Sequence, residues 1–243
     1  MEPARHLDSL RIDAPALLAS AAGALDRDVP SCPGWDVRQL IVHLGLVWQW
    51  ATDIVDSGAR AGWAQAPSTS DEGALIDWAR ARSEHLVASL GAADPDSSCW
   101  TFGLPRTRRF WIRRQALETA LHRFDVEQAS GEPTPLQADI AADGVDELLV
   151  VLLPRLVAAA PDAWNGESLH LHRTDGQGEW VVRLGPGKSA TAERAHARCD
   201  VAVRGSAPAL WLWCTNRPAE HAGGVELIGD PRFAERWAST ITF

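Results

Sequence analysis

The chain has 243 residues, a formal net charge of −9 and 46% hydrophobic residues, enough for one large domain or two small ones with a real core. The acidic balance and the absence of a dense Lys/Arg run exclude a phosphate-tracking surface for nucleic acid or an anionic membrane, leaving small molecules as the expected partners. No apolar stretch reaches the roughly 18 residues that span a bilayer, and charges interrupt the N-terminal segment where a leader would be apolar. We expect a cytoplasmic protein. Cys32, Cys99, Cys199 and Cys214 are widely spaced with no CxxC pair, so reduced thiols are expected rather than a disulfide framework or a four-thiolate zinc knuckle.

Leu7, Leu10, Ala14, Leu17, Leu18, Ala21 and Leu25 recur at helical steps and predict a first amphipathic helix that ends before Val29-Pro30. Turn residues Ser31 to Trp35 then lead to Asp36, with Gln39 three residues on, the signature of a capping box. The helix it opens carries Leu40, His43, Leu44, Val47, Trp48, Ala51 and Ile54 on one face, which points His43 inward. After a Gly/Pro/Ser/Thr loop at 57–70, a third helix has Leu75, Trp78, Leu86 and Leu90 inside. A fourth runs from Phe110 through Ala129 and stops before Gly131-Glu132-Pro133. Four such helices make a bundle. A fifth is expected over Gln137 to Ala159, with the apolar run Leu148 to Leu153.

The periodicity changes at 161–166, so the expected domains are 1–160 and 161–243. Beyond that point Ser168 to Arg173 and Glu179 to Leu184 alternate around Asp175-Gly176-Gln177-Gly178, a hairpin pattern. Asp200 to Arg204 and Val225 to Ile228 are further strand candidates, and Ala207 to Thr215 and Pro231 to Ser239 read as helices. The fold class is α+β, a helical bundle followed by a small α+β domain with an antiparallel sheet.

Glu118 and His122 stand four apart on the fourth helix and project from one face, a spacing at which both reach a single ion. Alone, such a pair also reads as a surface ion pair, and His43 alone as a core histidine. Taken together the two helices offer one His and one Glu/His pair, a three-ligand set of the open, catalytic type. Asp125 lies one turn beyond His122, placed either to accept the proton of its free ring nitrogen or to pair with a nearby Arg. Cys32, just before the His43 helix, reads as a structural cysteine or as a thiol near a helix N-terminus. Trp48, Trp78 and Trp111 are core aromatics or the mouth of a pocket, and His85 is a further candidate ligand.

The run VPSCPGWDVRQLIVHL (29–44) with RRQALETALHRFDVEQA (113–129) resembles the N-terminal metal-binding domain of the mycothiol-dependent maleylpyruvate isomerases, within the wider DinB-like bundle group. AADGVDELL (141–149) is similar to the same proteins. Further on, CDVAVRGSAPALWLWCTNR and VELIGDPRFAERWAST resemble their C-terminal domain, related in shape to sterol carrier domains. The resemblance covers nearly the whole chain. It implies a DinB-like four-helix bundle and a divalent metal, Zn2+ by choice, ligated by His43, Glu118 and His122. Mycothiol, the small thiol of actinobacteria, is implied as cosubstrate with an electrophilic second substrate. A basic complement that is almost all Arg, with Lys188 the sole lysine, fits a high-GC genome of that kind.

The pattern is shared by isomerases and thiol S-transferases, so it does not fix the reaction, and secondary metabolism is one setting it allows. No general acid or base is assigned. Arg217 and Arg204, in the C-terminal part, are candidates for binding a substrate carboxylate or for ordinary surface charges. The competing readings are a hydrolase that activates water on the metal and a non-catalytic small-molecule-binding protein.

Overall fold

In the computed structural model, residues 1–160, 163–186 and 189–242 are described, and they divide into two compact units, Met1–Thr134 and Pro135–Phe243. The first holds α1 (Pro3–Ala21), α2 (Val37–Ser57), α3 (Glu72–Ala92) and α4 (Arg108–Ser130). As the Asp36/Gln39 spacing predicts, α2 opens on a capping box. The Asp36 carboxylate accepts the Gln39 N–H at 2.7 Å, and the Gln39 side-chain oxygen accepts the Asp36 N–H at 2.9 Å. The helix closes at Gly58, whose φ of 70° lets its N–H turn back to the Ile54 carbonyl at 2.8 Å.

The bundle core is the apolar face of each helix, with Leu10, Leu17, Leu40, Leu44, Leu86 and Trp111 all fully buried. Two features bring the helices close. A β-carbon on Gly45 would fall 2.1 Å from the Trp78 ring, so only glycine lets α3 lay that indole on α2. Trp48 donates its indole N–H to Thr119 Oγ1 at 3.0 Å, tying α2 to α4 without leaving a polar atom unpaired. Between α1 and α4 a buried ion network joins Arg123 to Asp13 and to Glu127, each at 2.8 Å, and Ser9 donates to Asp13.

The second unit begins with α5 (Ala138–Glu147), a π-helical turn (Leu148–Leu152) and α6 (Leu153–Ala159). The expected single helix over 137–159 is therefore interrupted. Its widened turn ends just before Pro154, which has no N–H to give the preceding turn. The sequence-based boundary at 160/161 also differs from the observed division at Thr134/Pro135, because helical periodicity does not say which core a helix joins. Here α5 packs on α7 (Ala207–Cys214), with Trp211 over Gly144, where a β-carbon would fall 2.2 Å from the ring. Of the expected junction, Pro161 and Asp162 lie outside the described residues.

The sheet has the order β3-β2-β1-β4-β5, built from β1 (Glu167–Arg173), β2 (Glu179–Gly185), β3 (Ser189–Glu193), β4 (Val201–Gly205) and β5 (Glu226–Ile228). It is mostly antiparallel, as expected, but β1 and β4 pair in parallel. The hairpin puts β2 and β3 on one side of β1, so the chain crosses to the other side before β4 starts. That crossing, residues 194–200, leaves β3 level with His170 and enters β4 opposite Leu169. One sheet face carries Leu169, Leu171, Val182 and Val203 against helices; the other carries His170 and His172. α8 (Arg232–Thr240) is the last helix among the described residues. No helix among the described residues is long and apolar enough to cross a membrane.

Candidate metal centre

His43 sits two turns into α2, seven residues past the cap at Asp36, and Glu118 and His122 face it from one side of α4. His43 Nε2 is 3.4 Å from Glu118 Oε1, and His122 Nε2 is 3.5 Å from the same oxygen. These spacings are those of neighbouring ligands on one ion with bonds of about 2.0–2.2 Å. All three donor atoms lie within 4.8 Å of one another. Thus the three sequence-predicted ligands converge, and two nitrogens and one carboxylate oxygen form a donor set that fits zinc and leaves a fourth position open.

The surroundings prepare each donor. His122 Nδ1 bonds Asp125 Oδ2 at 2.8 Å, and Asp125 is fully buried, so the carboxylate holds the ring proton at Nδ1 and turns Nε2 toward Glu118. Cys32 reaches the same oxygen, with Sγ at 3.8 Å, which gives this thiol a role in holding Asp125. Arg114, one turn before Glu118, contacts Glu118 Oε2 closely and leaves Oε1 to the imidazoles. Burial pushes the His43 imidazole down to about 4, with the neighbouring charges of His122 and Arg114 adding to the effect. His43 is therefore neutral at pH 7, the form in which imidazole ligates. Trp35 packs edge-on against the His43 ring at 5.2 Å and is 37% exposed, forming a wall at the surface.

Sequence reasoning missed Arg114 and Trp35 as neighbours of this centre. For Arg114 the signal was there, four residues before Glu118 on the same helix face. Trp35 precedes the cap, and nothing local marks which way it turns. The other candidates fall elsewhere. Trp48 and Trp111 are fully buried core residues rather than a pocket mouth, with Trp111 donating to the Trp100 carbonyl, and Trp78 covers Gly45. His85 is exposed, 4.0 Å from Asp56, and belongs to no cluster of metal-ligating groups among the described residues. In the second unit, Arg204 pairs with Glu226 at 2.9 Å on the surface, whereas Arg217 is buried and donates to the Thr215 carbonyl at 2.7 Å.

Both units match known protein families. Residues 7–127 match the model of the mycothiol maleylpyruvate isomerase N-terminal domain, and residues 139–236 match that of the MDMPI C-terminal domain, the same isomerase abbreviated. A crystal structure of the mycothiol-dependent maleylpyruvate isomerase superposes with a TM-score of 0.56 at 15% identity, covering 93% of each chain. A histidine-to-alanine variant of that isomerase gives 0.57 at the same identity and coverage. At this identity the likeness speaks for the fold. No curated protein sequence matches the chain significantly. With the two domain models covering both units in order, the chain belongs to the mycothiol-dependent maleylpyruvate isomerase family of enzymes.

Proposed function

We propose that the protein is a metal-dependent thiol enzyme that uses mycothiol on a small electrophilic substrate, as a maleylpyruvate-type cis-trans isomerase or a thiol S-transferase. The observation that carries this reading is the convergence of His43 Nε2, Glu118 Oε1 and His122 Nε2, with Asp125 fixing the His122 ring. Zinc is the proposed ion, held by His43, Glu118 and His122. When bound there it would supply one thing, the deprotonation of a coordinating thiol whose ordinary pKa is about 8.5.

The chain's own residues do the rest. Asp125 keeps the proton at His122 Nδ1, Arg114 offsets charge on Glu118, and Trp35 packs edge-on against the His43 ring. A thiolate that adds to a carbon–carbon double bond conjugated to a carbonyl gives an enolate in which the former double bond is free to rotate; expulsion of the thiolate re-forms the double bond and completes isomerisation, whereas uptake of a proton from solvent at the enolate carbon retains the adduct and is transfer. Arg204 and Arg217 remain the proposed carboxylate contacts, with Arg204, already in a surface ion pair, the one open to exchange of partner. Four free cysteines suit a reducing compartment, and we place the protein in the cytoplasm. A role in secondary metabolism fits the transferase branch.

The test is to incubate zinc-loaded protein with mycothiol and a panel of electrophiles that includes maleylpyruvate, and to read isomers and adducts by mass spectrometry. Activity that needs both thiol and metal is expected. Turnover without added thiol would replace this reading with hydrolysis, and undiminished turnover by metal-free protein would overturn the metal's role.

A further inference from the structure

A second group of metal-ligating side chains lies in the other unit: His170, His172, Glu179 and His196 present donor atoms within 4.8 Å of one another. Three of the four come from the β1–β2 hairpin. His170 and His172 alternate with the buried leucines of β1 and so share the opposite sheet face, and Glu179 is the direct register partner of His172 on β2. This puts two imidazoles and a carboxylate on a rigid pleated surface. The fourth, His196, arrives on the segment 194–200 that carries the chain from β3 past β2 and β1 to β4.

The Glu179 carboxylate sits at the centre. Oε1 is 2.8 Å from His172 Nδ1, while Oε2 is 3.2 Å from His170 Nε2 and 2.5 Å from His196 Nδ1. The His170 ring is 5.9 Å from that of His172 and 5.0 Å from that of His196, centroid to centroid. Ligands around a tetrahedral ion with bonds of about 2.0–2.1 Å are spaced by about 3.3 Å, so small rotations of these side chains suffice. Arg204, the register partner of His172 on β4, is engaged by Glu226 and does not take the carboxylate. The three imidazoles can all donate to the Glu179 carboxylate, whose two oxygens offer about four acceptor sites, and these contacts already gather the four side chains. As a ligand set they are complete: three nitrogens and one oxygen fill a tetrahedral zinc site and leave no position for substrate.

We propose that His170, His172, Glu179 and His196 form a structural binding site for a divalent ion of the zinc type, distinct from the His43 centre, which staples the crossing segment 194–200 onto the β1–β2 hairpin. Metal bound there opposes local opening of the segment, since the ligand set exists only when it is seated.

The segment contains Arg194 and Arg198, which makes its seating readable by trypsin. The experiment uses the full chain, as wild type and as His172→Ala, His196→Ala and His43→Ala, with zinc as the probe. Bound zinc is counted after equilibrium dialysis, and the rate of cleavage after Arg194 and Arg198 is followed with and without zinc. Wild type is expected to hold one ion more than His172→Ala. Zinc should slow cleavage at these two sites roughly tenfold in wild type and in His43→Ala, but not in His172→Ala. His196→Ala, which alters an exposed side chain, keeps the proposal testable if His172→Ala fails to fold. Failure of the His43 centre alone would appear as one ion in wild type and in His43→Ala, and none in His172→Ala, with protection intact, a result that still supports this site. Equal stoichiometry in wild type, His172→Ala and His196→Ala, with no zinc protection of the segment, would overturn it.

Discussion

His122 Nδ1 lies 2.8 Å from Asp125 Oδ2, and because Asp125 is wholly buried the imidazole's free nitrogen has one direction in which to point. Asp125→Asn preserves shape but lets the side-chain amide present a donor as readily as an acceptor, which loosens both tautomer and ring orientation. Zinc affinity at the His43 centre is expected to fall about 10- to 100-fold, measured by competition with a chromophoric chelator in a His172→Ala background. Unchanged affinity would remove Asp125 from the centre.

Glu118→Gln replaces a carboxylate ligand by a neutral amide of the same size. Mycothiol-dependent activity should drop by two orders of magnitude or more, while the thermal midpoint moves by only a few degrees, since Glu118 lies at the edge of the bundle core rather than in it. Paired activity and melting measurements decide; a loss of fold matching the loss of activity would make Glu118 structural. His43→Ala should likewise lose the ion of this centre while the bundle stays folded.

Acid should destabilise the metal-free protein through His43. Its imidazole titrates near 6.5 when unfolded and near 4 when folded, so between those values the unfolded chain binds a proton that the folded one refuses. The linked stability is intact above pH 6.5 and lost as pH falls toward 4. With the side chain 34% exposed, solvent screening leaves an effect on the order of 1–2 kcal/mol. Urea midpoints of metal-free wild type and His43→Gln at pH 7 and pH 5 would show it, and an equal drop in both proteins would assign the acid sensitivity elsewhere.

Arg123→Ala leaves Asp13 and Glu127 buried without their cation. Breaking a buried network from one side costs about 3–5 kcal/mol, so chemical denaturation should show a large fall in midpoint with little change in slope. A shift below 1 kcal/mol would mean that water takes over the role of the guanidinium.

The division at Thr134/Pro135 places the first proteolytic cut of the native chain between 131 and 137, where the backbone has no regular structure. A first cut at 161–166 would restore the boundary expected from sequence periodicity.

The bundle and the convergence of His43, Glu118 and His122 were legible because helical spacing is local information: Asp36 with Gln39, His43 on an apolar face, Glu118 four before His122. What the chain does between distant segments was not. Ser189–Glu193 is small and polar, so β3 left no alternation of apolar residues to read. The parallel pairing of β1 with β4 follows only from the crossing. The alternation Leu169-His170-Leu171-His172 was visible and marked a strand, yet its histidines gained meaning only once register brought Glu179 opposite and the crossing brought His196. Trp48 and Trp111 went to the core because a large apolar ring on a bundle's inner face is held there by its neighbours, whatever a pocket reading would prefer.

The capping box at Asp36 acts as a ruler. It fixes where α2 begins, and His43 follows at seven residues, close to two full turns. One residue inserted between them would swing His43 by about 100° and advance it by about 1.5 Å, away from Glu118 and His122, even though every ligand would still be present. The segment should therefore tolerate changes of residue type far better than changes of length. Among relatives, the count from cap to histidine is expected to hold at seven where the residues in between vary.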